Sequence, residues 1–306
     1  MKNWSTYRRG FQAFLLLEQS LSQHTAAAYL SDLEKLEQFL LLRGSVPAPT
    51  DLSGADLEQF LKYLNELGLS VRTQARLLSA LKTFYKYLLL EGLAQSDPTQ
   101  LVEAPRLGRH IPEVLTYDEI QRMLQAVDLS HPQGPRNRAI LETLYACGLR
   151  VSELTALRRS NLFLELGFVK VVGKGNKERI VPIGQQAAKH IELYLEGVRR
   201  GQANEQRGEE DYLFLNRRGR HLSRVMVFHI VRDTAEAAGI AKKVSPHTFR
   251  HSFATHLIEG GADLKAVQDM LGHESIITTE IYTHLDTDYL RETLLQYHPH
   301  HRRRPK

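Results

Sequence analysis

The stretch 245–285 concentrates side chains that can act on a phosphodiester without a metal ion. It contains His247, Arg250, His273 and Tyr282. His247 and Arg250 stand at positions i and i+3 after a Ser-Pro pair, which is a helix-start signal, so both project from one face of a helix. They can therefore contact the same substrate group.

Two helices are predicted to position these side chains. The first begins at Ser245, buries an apolar face and ends at the glycine pair 260–261. That apolar face consists of Phe249, Phe253, Ala254, Leu257 and Ile258. The second helix runs over 262–271 and closes at Gly272, which sets His273 at a helix terminus.

Two earlier segments contribute further candidates. Arg150 and Glu153 lie at i and i+3 on a new helix, where the carboxylate can orient the guanidinium; at this spacing the two residues also form ordinary exposed ion pairs. The apolar residues around them favour a functional role, because burying a charged side chain costs free energy and is seldom seen without one. Lys174 lies between two glycines in a predicted hairpin turn. It is either a surface-turn lysine or a proton donor to a leaving oxygen, with glycines that admit a phosphate.

Length and composition indicate a globular protein with room for two domains. The chain has 306 residues, of which 42% are hydrophobic and 25% charged. It has no apolar run near the roughly 20 residues that a membrane span requires, and its N-terminus lacks a signal cleavage site, so we expect a cytoplasmic protein. The single cysteine, Cys147, excludes an intramolecular disulfide and a cysteine-based zinc site.

The charge favours a polyanionic partner, although the net value of +5 is modest for this length. Its distribution is more informative, because separated basic clusters suit a surface that follows a duplex. These clusters are Arg72, Arg76, Lys82 and Lys86; Lys174, Lys177 and Arg179; and Arg217, Arg218 and Arg220.

The hydrophobic pattern predicts a mainly α protein in two domains. Residues 1–91 are predicted to form four helices, and residues 92–116, rich in Pro and Gly, a linker. Residues 117–297 are predicted to form a mixed α/β domain. In it, helices flank a small antiparallel sheet with strands at 161–164, 168–172 and 178–182. Residues 298–306 are predicted to be a mobile basic tail.

The set Arg150, Lys174, His247, Arg250, His273 and Tyr282, in this order and spacing, resembles the active-site signature of the tyrosine recombinases, the phage integrase family. The surrounding segments GLRVSELTAL, VVGKGNKERIVPIG and HTFRHSFATHLIEGG are similar to the Xer branch of that family, and the ending EIYTHLD is closer to its D type than to its C type. The segments SQHTAAAYLSDLEKLEQFL and RTQARLLSALKTFYKYLLLEG resemble the helical, SAM-like DNA-clamping domain, so the resemblance covers nearly the whole chain.

This resemblance implies a role for each candidate residue. Tyr282 would attack a DNA phosphate and give a 3′-phosphotyrosyl link and a free 5′-hydroxyl, with no metal or other cofactor. The remaining roles would be distributed as follows: Arg150 and Arg250 hold the phosphate oxygens, His247 acts as base, His273 donates a hydrogen bond to the phosphate, Lys174 protonates the leaving 5′-oxygen, and Glu153 supports the site.

The resemblance also implies partners. These are a double-stranded DNA core site, a homo- or heterotetramer with a sister recombinase that passes through a Holliday junction, and a septal DNA translocase, but no membrane. The expected location is the cytoplasm, in association with the nucleoid, and the expected role is resolution of chromosome dimers at cell division. The candidate DNA contacts are Arg72, Arg76, Lys86, Lys177 and Arg179.

Three other interpretations compete with this one. The same chemistry would serve an integrase of a phage, plasmid or transposon. A DNA-binding protein that never cleaves would be expected to lack a catalytic residue, and none is missing. A histidine-rich metalloprotein has fourteen histidines in its favour but no HExxH or Cys-His spacing.

Overall fold

The computed structural model describes residues 4–104, 113–201, 205–272 and 284–300. The chain divides into two compact units, Met1–His110 and Ile111–Lys306. Within the first unit the main helices are α1 (Trp4–Ala13), α2 (Gln23–Leu42), α3 (Gly54–Glu66) and α4 (Val71–Leu90). The prediction of a mainly helical N-terminal part is confirmed, and a short π-helical turn, Phe14–Glu18, continues α1.

Serine caps set the start of three of these helices. The hydroxyl of Ser22 accepts a hydrogen bond from the Thr25 backbone, and Ser53 and Ser70 cap α3 and α4 in the same way. Such caps satisfy amide groups that lack a partner within the helix. α4 runs through the core of this unit and buries one continuous apolar face, so its charged residues are confined to the opposite side.

The second unit combines eight helices among its described residues with a three-stranded sheet. Its helices are α5 (Tyr117–Gln125), α6 (Gly134–Cys147), α7 (Val151–Thr155), α8 (Gln185–Tyr194), α9 (Arg224–Ala237), α10 (Pro246–Gly260), α11 (Leu264–Leu271) and α12 (His284–Tyr297). Its strands are β1 (Leu162–Phe163), β2 (Phe168–Val172) and β3 (Glu178–Pro182). A capping box starts α5, since Thr116 and Glu119 each accept a hydrogen bond from the other's backbone.

α6 is the centre of the second unit's core. It packs against α8 and α10, and every residue from Ala139 to Cys147 is buried. Gly148 ends α6 in the left-handed conformation, with φ 56°, and a Cβ there would lie 2.4 Å from Cδ1 of Phe253. Only glycine fits this position without strain, so α10 can pass directly over the end of α6.

The sheet is antiparallel, as predicted, and its strand order is β1-β2-β3. β1 is only two residues long. The pairing places Val169 opposite Val181 and Val171 opposite Arg179. Since alternate residues of a strand share a face, Arg179 stands in the same inward-facing row as these three buried valines.

The C-terminal helix packs on the two helices before it. Phe253, Leu257, Val267 and Leu290 belong to one buried cluster that joins α10, α11 and α12. The predicted apolar face of α10 is therefore observed, except that Ile258 is exposed. Among the described residues, no helix is both long and apolar enough to cross a membrane.

The prediction of a mobile tail is wrong for its first residues. His298 is completely buried, and its ring lies 4.6 Å, centroid to centroid, from that of Tyr145 on α6. Nε2 of His300 lies 2.9 Å from Oε2 of Glu142. These histidines pack against the buried carboxylate of Glu142 and the ring of Tyr145. The basic composition of the tail did not predict this packing.

Candidate active site

Arg150 is separated from the end of α6 by two residues, has an extended backbone conformation and is the N-cap residue of α7. Its backbone N–H donates to Oε2 of Glu153 at 2.8 Å, and its Nη1 donates to Oε1 of the same carboxylate at 2.9 Å. The Arg150 side chain is 42% exposed, whereas that of Glu153 is 2% exposed. The buried Glu153 carboxylate therefore fixes the inner side of the Arg150 guanidinium, and the exposed side remains accessible to a ligand.

Glu153 has a second, fully internal partner. Nη1 and Nη2 of Arg179 donate to its two carboxylate oxygens at 2.8 and 2.9 Å, a paired geometry that matches guanidinium to carboxylate. Burial raises the pKa of Glu153, but hydrogen bonds and charge from Arg179, and then Arg150, outweigh this and hold the pKa below its ordinary value of 4.5. Glu153 is therefore ionised at neutral pH.

Arg250 approaches the same carboxylate from α10. Its Nη1 donates to the carbonyl of Gly148 at 2.8 Å and lies 3.9 Å from Oε2 of Glu153. Burial and the charge of Arg150 lower the pKa of Arg250 to about 10, which still leaves it charged at neutral pH. An anion bound between Arg150 and Arg250 would relieve their mutual repulsion.

All three arginines also bind the C-terminal carbonyls of α11. Nε of Arg179 donates to Met270 at 2.9 Å, and Nη2 of Arg250 donates to Leu271 at 2.7 Å. Nη2 of Arg150 donates to the carbonyl of Gly272 at 3.3 Å. The last carbonyls of a helix lack partners within it and carry a partial negative charge, so cations are favoured there.

The electrostatic result is an anion site. Three guanidinium groups surround one carboxylate, which leaves two net positive charges where α7, α10 and α11 meet. A phosphodiester carries one negative charge and develops more as it is attacked. Planar guanidinium donors match its oxygens, so the arrangement suits phosphoryl transfer.

The other predicted catalytic residues are placed less fully. His247 is exposed in the first turn of α10, three residues before Arg250. The backbone of Lys174 begins a single 3₁₀ turn, Lys174–Asn176, between β2 and β3, as expected for a hairpin-turn residue. His273 and Tyr282 lie outside the described residues. Gly272, the residue before His273, is the last one described in its segment.

The candidate DNA contacts separate into two groups. Arg72, Arg76, Lys86 and Lys177 are exposed. Arg76 also donates through Nη1 and Nη2 to Asp32, a completely buried carboxylate on α2. Arg179 is 7% exposed, and its guanidinium donates hydrogen bonds to Glu153 and to the carbonyl of Met270. The prediction that it contacts DNA directly is therefore wrong, because its side chain faces the core.

Two features of the site were missed in the sequence. The alternation of β3 places Arg179 on the same face as Val181 and could have shown that it points inwards. The glycine cap of α11 could have shown that carbonyls before His273 need donors, but not that three arginines supply them.

Neither Cys147 nor a metal cluster offers an alternative centre in the described part of the chain. Burial raises the pKa of Cys147 to about 12, which keeps the thiol protonated and a poor nucleophile. In the same ranges, no group of three or more His, Cys, Asp or Glu side chains is arranged to hold a metal ion.

Comparison with known proteins identifies the class of protein. Residues 113–288 match the model of the phage integrase family, and residues 9–92 match the N-terminal SAM-like domain of phage integrases. The chain therefore belongs to the phage integrase family, the tyrosine recombinases, and is a site-specific recombinase.

Its relatives indicate the branch of that family. Tyrosine recombinase XerD of Chlorobaculum tepidum is 45% identical over 299 residues, covering 97% of each chain. Tyrosine recombinase XerD of Listeria monocytogenes is 39% identical over 289 residues, covering 94% of this chain and 97% of the relative. A crystal structure of the XerH site-specific recombinase bound to palindromic difH substrate, a post-cleavage complex, is 27% identical with a TM-score of 0.65 and covers 88% of this chain and 78% of that one.

Proposed function

We propose that this recombinase cleaves and rejoins a DNA core site through a 3′-phosphotyrosyl intermediate, with Tyr282 as the nucleophile. The observation that carries the proposal is the convergence of Arg150 and Arg250 on the buried carboxylate of Glu153, at the end of the helix that precedes His273. Together with Arg179, these groups carry a net positive charge that suits one phosphodiester.

In this proposal the arginines stabilise the five-coordinate phosphate. Arg150 is the more exposed of the two, so its guanidinium can reach a bound phosphate from the solvent side. The buried Arg250 is held by the carbonyls of Gly148 and Leu271 and would contact the phosphate from the protein side. Donors that are fixed before the reaction need no reorganisation as charge develops. Removal of either is expected to cost on the order of 100-fold in cleavage rate.

The proton transfers fall to the remaining candidates. A tyrosine with an ordinary pKa of about 10 is a poor nucleophile at neutral pH and needs a base. His247 takes that role and lies on the same helix face as Arg250, one turn earlier. His273 donates a hydrogen bond to the phosphate, and Lys174 protonates the leaving 5′-oxygen. The phosphotyrosyl bond keeps the energy of the broken bond, so rejoining needs no ATP.

The biological role that we propose is resolution of chromosome dimers at cell division. It is supported by the full-length similarity to proteins named XerD. The protein would act in the cytoplasm, at the nucleoid, as a tetramer on DNA with a sister recombinase, through a Holliday junction and under control of a septal DNA translocase. The exposed basic residues Arg72, Arg76, Lys86 and Lys177 would contact phosphates of the core site.

A suicide-substrate assay tests the chemistry. A duplex is selected from a random library for binding to the wild-type protein and nicked near the cleavage position, and covalent adducts are counted on a denaturing gel in EDTA. We expect an adduct with the wild-type protein and none with Tyr282→Phe. Tyr289→Phe, an exposed tyrosine on α12, is the matched control and should react normally. An adduct with Tyr282→Phe would show that the nucleophile is another residue.

The selected site also tests the biological role. A single near-palindromic copy in the chromosome, with unresolved dimers in cells that lack the protein, supports chromosome resolution. Copies that flank a mobile element support the integrase alternative, and binding without any adduct supports a DNA-binding protein that does not cleave.

A further inference from the structure

Arg179 occupies a position where an apolar residue would be expected. It lies on β3 in the inward-facing row with Val169, Val171 and Val181, each at most 1% exposed. Replacing a buried ion pair by apolar residues of similar volume is often neutral or stabilising, so stability alone does not account for an arginine here. A function for the guanidinium is the alternative that the contacts favour.

The guanidinium joins three segments of the candidate site. Its Nη1 and Nη2 hold both oxygens of Glu153 on α7, and its Nε holds the carbonyl of Met270 on α11. Arg179 itself follows the hairpin turn that carries Lys174. One rigid, planar group therefore fixes the distance between the turn of Lys174, the partner of Arg150 and the end of the helix before His273.

The backbone around Arg179 is shaped to admit it. A Cβ on Gly272, whose φ is 64°, would lie 3.0 to 3.2 Å from Cδ, Nε and Cζ of Arg179. A Cβ on Gly173 would lie 3.6 Å from Oε1 of Glu153 and 3.7 Å from Nη1 of Arg179. The glycines directly before His273 and Lys174 thus both border this guanidinium, and at Gly272 a side chain would press on it.

We propose that Arg179 is a positioning residue for strand cleavage. It acts through Glu153 on Arg150 and through Met270 on the segment that leads to His273, and it touches no DNA. The inference rests on the roles proposed above for Arg150 and His273. Because Arg150 keeps its own bonds to Glu153 and Gly272, loss of Arg179 leaves the phosphate donor present but loosely aimed. Misplacement of a reacting group by about 1 Å can cost about 100-fold in rate.

The test measures single-turnover adduct formation by the full-length protein on the nicked duplex described above, at saturating protein. Arg179→Gln is expected to lower the cleavage rate roughly 10- to 100-fold, by analogy with the loss of a residue that orients a metal ligand. Affinity for an uncleaved duplex should be unchanged. Arg179→Lys keeps the charge without the planar fork and should recover only part of the rate.

Chemical rescue separates positioning from general support of the fold. Methylguanidinium added to Arg179→Ala should restore cleavage in a concentration-dependent manner, whereas sodium chloride at equal ionic strength should not. Arg136→Gln is the matched control, since Arg136 is a buried arginine of the same unit that donates to the backbone carbonyl of Leu215 and to the side-chain Oδ1 of Asn137. It should lower the stability and leave the cleavage rate of DNA-bound protein unchanged.

The possible failures are distinguishable. If the wild-type protein forms no adduct, the proposed chemistry fails. If the wild-type protein forms the adduct and Arg179→Gln cleaves at the same rate, the positioning role is overturned. It is also overturned if DNA affinity falls in parallel with the rate, or if Arg136→Gln loses as much activity. Should Arg179→Gln not fold, the same comparison is made with Arg179→Lys, and a wild-type rate there refutes the need for the fork.

Discussion

Replacing Glu153 by glutamine tests the central claim about the site, that one buried carboxylate holds the arginines together. Four hydrogen bonds end on its two oxygens, two from Arg150 and two from Arg179. Glutamine keeps one oxygen acceptor and presents an NH₂ group to the other donors. The side chains of Glu153 and Arg179 are 2% and 8% exposed, so water cannot replace the lost partner.

Breaking a buried pair by removing one partner costs about 3–5 kcal/mol, and we expect Glu153→Gln to lose that much unfolding free energy. Urea unfolding followed by far-UV circular dichroism measures it. Tryptophan fluorescence would not, because the single tryptophan, Trp4, lies in the other unit. The control is Asp233→Asn, which removes an exposed partner of Arg232 and should cost less than about 1 kcal/mol.

The pH dependence provides a second measurement. The pKa of Glu153 is lower in the folded protein than its ordinary value of 4.5, so its contribution to stability is complete above that value and is lost as the pH falls through the folded pKa. The difference in unfolding free energy between wild type and Glu153→Gln should therefore shrink below pH 4.5. A difference of less than about 1 kcal/mol at pH 7 would refute the reasoning, because it would mean that the pair is not buried.

Three further predictions follow from other contacts. Gly148→Ala should lower the free energy of unfolding by about 2–5 kcal/mol, because alanine is strained in the left-handed conformation and its methyl group would clash with Phe253. Gly175→Ala, with φ 73° and no neighbouring atom within 4 Å, should lose only the backbone contribution of about 1–2 kcal/mol. Thermal unfolding of the two variants measures the difference. Asp32→Asn should weaken core-site binding, because the buried carboxylate orients Arg76; equal affinity in a filter-binding titration would contradict this. Cys147, buried and with its pKa raised to about 12, should resist alkylation in native protein and react after unfolding, as mass spectrometry would record.

Much of the fold was predictable because its signals are local. The serine caps at Ser22 and Ser70 and the capping box at Thr116 determine helix starts from a few adjacent residues. The two-residue period of the strands and the glycines of the hairpin turn determine the antiparallel sheet in the same way. Family membership was likewise readable from ordered motifs, and the comparisons confirm it.

The fate of individual charges was less predictable. Arg179 and Lys177 belong to one basic cluster in the sequence, but only the lysine is exposed. The basic tail looked mobile, but its histidines at 298 and 300 are held against α6. In each case the partner lies far along the chain, so composition near the charged residue says nothing about it.

The sequence by itself determined the inventory of the site: two arginines, a carboxylate one helical turn after the first of them, a lysine in a turn, and histidines and a tyrosine at fixed spacing. Only the tertiary structure decided that Arg150, Arg179 and Arg250 meet at Glu153 and at the last carbonyls of α11. The reason is that unsatisfied helix-end carbonyls and a buried carboxylate each need donors, and which donors reach them depends on how α7, β3, α10 and α11 pack.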